Sequence, residues 1–72
     1  MKNHFYIKSI LTLFYSYMPR GVNFFSLTYA HNLDLDEWEN MYHYLIKERL
    51  IEPTSKGDKQ IITDKGIELM FY

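Results

Sequence analysis

Apolar residues recur at helical spacing from the start of the chain. Ile7, Ile10, Leu11, Phe14 and Met18 make one stripe, which predicts a first helix over residues 4–18. Tyr6, Leu13 and Tyr17 form a second stripe beside it, and Lys8, Thr12 and Ser16 mark the wet side. Pro19 and Gly21 end the helix. A short second helix is expected over residues 23–31, with Asn23 as N-cap and Phe24, Leu27 and Ala30 or His31 on one face. Phe25, Thr28 and Tyr29 would also suit a strand there. The third helix, residues 35–49, has the clearest pattern. Trp38, Met41, Tyr42 and Leu45 share one side with Arg49 at its edge, and Asp36, Asn40, His43, Tyr44 and Lys47 share the other.

The flanks of that third helix carry start signals. Asp34 can cap it, Glu37 three residues on completes a capping box, and Leu33 precedes the cap as a hydrophobic staple. Residues 50–55 and 60–63 then read as an antiparallel strand pair. Lys56-Gly57-Asp58-Lys59 lies at the turn, its glycine supplying a positive φ. Thr63 or Asp64 caps a last short helix holding Ile67, Leu69, Met70 and Phe71, which Gly66 is expected to weaken. Residues near Val22 can add a third strand to the sheet.

At 72 residues the chain has room for one domain, residues 1–72, without repeats or linkers. Such a small domain buries only about 60% of its unfolded surface. The absence of cysteine removes disulfides and Cys-based metal sites as reinforcement. Dense aromatic packing, oligomerisation or a bound partner remain. Seven Tyr, five Phe and one Trp are more ring area than a single small core needs, so some rings belong at an interface. Self-association is therefore expected, with the second stripe of the first helix, Tyr6, Leu13 and Tyr17, as contacting residues. Trp38 is expected to be buried against the first helix. The N-terminal apolar run is broken by Lys8 and followed by Met18-Pro19-Arg20-Gly21 rather than a small-residue cleavage site. It reads as a helix of a soluble, cytoplasmic protein rather than a signal peptide or a membrane span.

The order of elements, and the runs Leu33-Asp34-x-x-x-Trp38-x-x-x-Tyr42-x-x-Leu45-x-x-x-x-Leu50-Ile51 and Ile62-Thr63-Asp64-Lys65-Gly66, resemble the winged helix-turn-helix superfamily of bacterial regulators. Ile10-Leu11-x-Leu13 followed by Pro19-x-Gly21 is similar to the start of PadR-type and MarR-type domains. The resemblance covers nearly the whole chain. It implies an α+β, mainly helical fold: a three-helix core with a β-hairpin wing and a short C-terminal helix. In those families a glycine closes the third helix before Leu-Ile; here Arg49 stands in its place. The function implied is DNA binding in transcription regulation, and the resemblance also implies a homodimer made through terminal helices, which adds Met70 and Phe71 to the expected contact.

In such a fold the third helix enters the major groove and the hairpin touches the flanking backbone. Asn40, His43, Tyr44 and Lys47 are the candidates on the helix, and Lys56 and Lys59 on the hairpin, with Arg20 and Lys65 as further backbone contacts. Asparagine can pair with adenine, while lysine and tyrosine can hold phosphate or guanine. The charge opposes this reading. The net charge is −1, and Asp34, Asp36, Glu37 and Glu39 crowd the start of the helix that would approach the phosphates. Carboxylates also stabilise a helix N-terminus through its dipole, so they have a purely structural explanation as well. The alternative is a winged helix that binds a basic protein partner through its acidic third helix and does not bind DNA. Catalysis is not expected. His4, His31 and His43 lack metal-ligand spacing, Asp34-x-Asp36 reads as a helix start, and no phosphate-cradling loop or nucleophile motif is present. No cofactor or metal is implied.

Overall fold

In the computed structural model, residues 2–31, 38–55 and 57–72 are described, with side chains for residues 7–31, 39–55 and 57–72. Among them, four helices and a two-stranded antiparallel sheet follow one another. They are α1 (Lys2–Ser16), α2 (Phe24–Ala30), α3 (Trp38–Lys47), β1 (Ile51–Pro53), β2 (Gln60–Ile62) and α4 (Asp64–Met70). The fold is α+β and mainly helical, as the hydrophobic pattern predicts.

Helix α1 buries Ile7, Ile10, Leu11 and Phe14, four of the five residues of the first stripe. Met18, the fifth, is 40% exposed, because the helix ends at Ser16. Pro19 has no N–H to continue the ladder and disfavours a helical residue before it. The chain tightens instead through bonds from Tyr17 N–H to Phe14 O and from Met18 N–H to Tyr15 O (3.1 and 3.2 Å), then crosses a cis Met18–Pro19 bond. Lys8, expected on the wet side, is half-buried. Helix α2 forms where the Asn23 cap predicts. Asn23 is extended, and its side-chain oxygen accepts from Ser26 N–H at 3.1 Å. Phe24 and Leu27 face the core, whereas Ala30 and His31 are exposed, because α2 stops after seven residues and the expected face is not continued.

Helix α3 turns Leu45 fully inward, with Met41, Tyr42 and Ile46 half-buried beside it. Its end has a specific geometry. Arg49 takes a left-handed backbone (φ 57°). Its N–H donates to Ile46 O at 3.0 Å, and Leu50 N–H donates to Leu45 O at 2.9 Å. This is a Schellman motif, with Leu45 and Leu50 both buried as its apolar pair. Arg49 thus carries a side chain in the backbone conformation that glycine usually takes at this point of the motif. Arg49 therefore does not continue the inner side of the helix; it lies beyond it and is exposed.

The strand pair is shorter than the pattern suggests. Ile51 pairs with Ile62, Glu52 with Ile61 and Pro53 with Gln60. Ile51 and Ile62 point inward and Glu52 outward. Thr54 N–H donates to Lys59 O at 2.9 Å and Gly57 N–H to Thr54 O at 3.2 Å, and Gly57 has the expected positive φ of 82°. The expected third strand is a single bridge: Val22 and Gln60 exchange both backbone bonds, at 2.8 and 2.9 Å. Gln60 is buried, and its side chain is used. Its Oε1 accepts from Phe24 N–H at 2.8 Å, joining the start of α2 to the sheet.

Helix α4 begins at Thr63, whose Oγ1 accepts from Gly66 N–H at 3.0 Å. Gly66 is not a weak point there. It is buried, and a Cβ on it would run into the Leu50 carbonyl and lie 2.7 Å from Ile62 Cγ1. The glycine lets α4 lie directly on the junction between α3 and β1. Helix α4 also packs along α1. Ile67, Leu69 and Met70 are half-buried, while Phe71 falls after the helix and is 74% exposed.

Candidate nucleic-acid interface

The residues named for base and phosphate contact on α3 share one face. Asn40, His43, Tyr44 and Lys47 follow at steps of three and four, and all are exposed. The helix is oriented by its other side: Leu45 is locked into the core, and Tyr42 rests its ring 5.4 Å from that of buried Phe24. A rigid inner face fixes the direction of the outer one, so the four side chains project together.

The hairpin is tied to the start of α2. Asn23 donates its side-chain N–H to the Asp58 carbonyl. The Lys59 carbonyl takes both the Thr54 N–H and, at 3.2 Å, the Thr54 hydroxyl. The backbone at Lys59 is thereby held while its side chain is exposed. Lys56 lies outside the described residues. Arg20 is exposed, and Lys65 is 3.9 Å from Glu48 in a solvent-facing ion pair that screening leaves weak.

Of the acidic residues that oppose DNA, Glu39 is exposed in the first turn of α3. Asp34, Asp36 and Glu37 lie outside the described residues, as do the capping box and the Leu33 staple. The burial expected of Trp38 and the contact expected of Tyr6 concern side chains that also lie outside them. Of the other residues assigned to a dimer contact, Leu13 and Met70 are half-buried and packed against the core, and Tyr17 and Phe71 are exposed.

Three residues of consequence were not singled out by the sequence. Tyr15 is exposed and sets its ring edge-to-face on Phe71, centroids 6.4 Å apart. Phe25 is 43% exposed with its ring 5.4 Å from Tyr42. Its signal was present as the Phe25 and Tyr29 pair four apart on α2, but the same residues also suit a strand. Gln60 gave no signal, because a glutamine at a strand start reads as solvent-facing. Among the described residues no group of His, Asp or Glu is placed to hold a metal ion, and no helix is long and apolar enough to cross a membrane. No family model, curated protein or solved structure matches this chain.

Proposed function

We propose that this chain is a winged-helix DNA-binding protein acting in transcription regulation. The observation that carries the reading is the common exposure of Asn40, His43, Tyr44 and Lys47 on one face of α3. The element order supports it, with a helical core, a hairpin joined to Val22 by a bridge, and a capped terminal helix. In this reading α3 lies in the major groove. Asn40 pairs with a base edge, Tyr44 and Lys47 reach base or phosphate, and Lys59 with Lys56 holds the flanking backbone. Glu39 in the first turn repels phosphate, so the backbone contacts of the helix fall to its middle and last turns, while Asn40 reaches a base edge. A second copy packs against α1 and residues 69–72, covering Tyr17 and Phe71.

Binding of mixed-sequence duplex DNA over a salt series tests this. Affinity is expected to fall steeply as salt rises, because each phosphate contact releases counterions. Lys59→Glu is expected to weaken binding and flatten that slope by about one unit or more. Absence of duplex binding even at low salt would refute the reading.

A further inference from the structure

We propose that the aromatic strip formed by Phe25, Tyr42 and His43 docks an arginine-bearing segment of a partner protein. The inference goes beyond the DNA reading and does not rest on it. The strip begins inside the core. Phe24 is fully buried, with its ring nearly parallel to that of Phe14 (16°, centroids 6.4 Å apart). From Phe24 the rings continue outward. Phe25 stands edge-on to it at 5.6 Å, and Tyr42 lies at 5.4 Å. Phe25 and Tyr42 are tilted against each other at 5.4 Å, and Tyr42 meets the His43 ring at 5.8 Å. Phe25 and His43 reach solvent, and Tyr29, one turn beyond Phe25 on α2, is 90% exposed.

Burial at the inner end makes the strip a prepared surface. Phe24 holds Phe25 and Tyr42 in place, so a ligand need not first order them. Charge then selects the occupant. Glu39 is exposed one turn before Tyr42 and His43 on the same helix. Ring faces attract cations, and the neighbouring Glu39 carboxylate adds to that attraction. The same carboxylate repels a phosphate backbone, which disfavours single-stranded nucleic acid stacked on these rings. Lys47, one turn past His43, ends the favourable stretch, so the site belongs to the first half of α3 and to α2. Between the two cationic side chains the geometry favours arginine. A planar guanidinium can stack on a ring while its edge donates to a carboxylate, whereas a lysine ammonium is a compact, strongly hydrated charge.

The test is titration of the whole chain with short oligo-arginine and oligo-lysine peptides of equal length, and separately with oligo-thymidine, at low salt. Oligo-arginine is expected to bind about two- to fivefold more tightly than oligo-lysine. Phe25→Ser should abolish that preference and leave the weaker binding both peptides share. Glu39→Gln, at an exposed position, should weaken both peptides and keep their ratio. Equal affinities for the two peptides on the native chain would overturn the proposal. So would a preference that survives Phe25→Ser in a folded variant, or oligo-thymidine binding more tightly than oligo-arginine. Duplex binding is read in a separate experiment, so this site and the DNA reading succeed or fail apart.

Discussion

Replacing Gly66 by alanine sets two opposed effects against each other. In an exposed helix the change would stabilise by about 1 kcal/mol through backbone propensity. Here the new methyl meets the Leu50 carbonyl oxygen and comes 2.7 Å from Ile62 Cγ1 and 3.2 Å from the Leu50 carbonyl carbon. Leu50 cannot easily yield. Its carbonyl already accepts from Thr63 N–H at 3.0 Å and from the Thr63 hydroxyl at 3.2 Å, and its own N–H closes the end of α3. Restoring ordinary contact with Ile62 requires α4 to move by about 0.8 Å. Overpacking of this kind costs about 1–3 kcal/mol or more, and loosening the Thr63 cap adds about 1 kcal/mol. Set against the propensity gain, the net loss is about 1–3 kcal/mol. For a domain of this size that lowers the melting midpoint by about 5–20 °C. Thermal and urea unfolding followed by circular dichroism measure it. A midpoint that stays level or rises would refute the close seating of α4 on Leu50.

Arg49→Gly should do the reverse and raise stability by about 0.5–1 kcal/mol, since the left-handed backbone penalises a side chain and glycine escapes most of that cost; a lower urea midpoint would mean that the arginine side chain makes a contact worth more than the strain. Gln60→Leu strands the buried Phe24 N–H and should cost about 1–3 kcal/mol, with faster hydrogen exchange at that amide. Unchanged protection of the Phe24 amide would show that another acceptor serves it. Tyr17→Asp should shift the mass in sedimentation from dimer to monomer if a second copy covers α1 as proposed. An unchanged mass would remove Tyr17 from any such contact.

Much of the fold was legible because single helices and a hairpin announce themselves locally. The spacing of Ile7, Ile10, Leu11 and Phe14 needs only the helical period to be read, and all four are buried. Asn23 and Thr63 are caps by chemistry alone, and both accept the bond their side chains predict. The misreadings arise where one local rule overrides another, as at Met18, or where a distant contact overrides a local rule, as at Gly66 and Gln60. Met18 continues a helical stripe in the sequence, but the proline after it ends the helix first. Gly66 looks like a flaw in α4 until Leu50, sixteen positions earlier, is seen to occupy the space a side chain would need. Gln60 looks like a solvent residue until the start of α2 brings Phe24 N–H to it from far along the chain.

The candidate sites divide in the same way, and for a physical reason. Asn40, His43, Tyr44 and Lys47 could be named from periodicity, because exposure on a helix follows from which residues face inward. The strip of Phe25, Tyr42 and His43 could not, because it joins two helices and depends on buried Phe24 to set the angle between them. Sequence arithmetic also treats the charge of α3 as one sum, which set DNA and a basic protein partner against each other as alternatives for the whole helix. In space the helix has unlike regions. Glu39 stands one turn from the aromatic strip, and Lys47 stands at the opposite end of the exposed face. A helix with a carboxylate near packed rings at one end and a lysine at the other suits a cation and a phosphate at different places. The net charge of −1 therefore weighs against neither partner by itself.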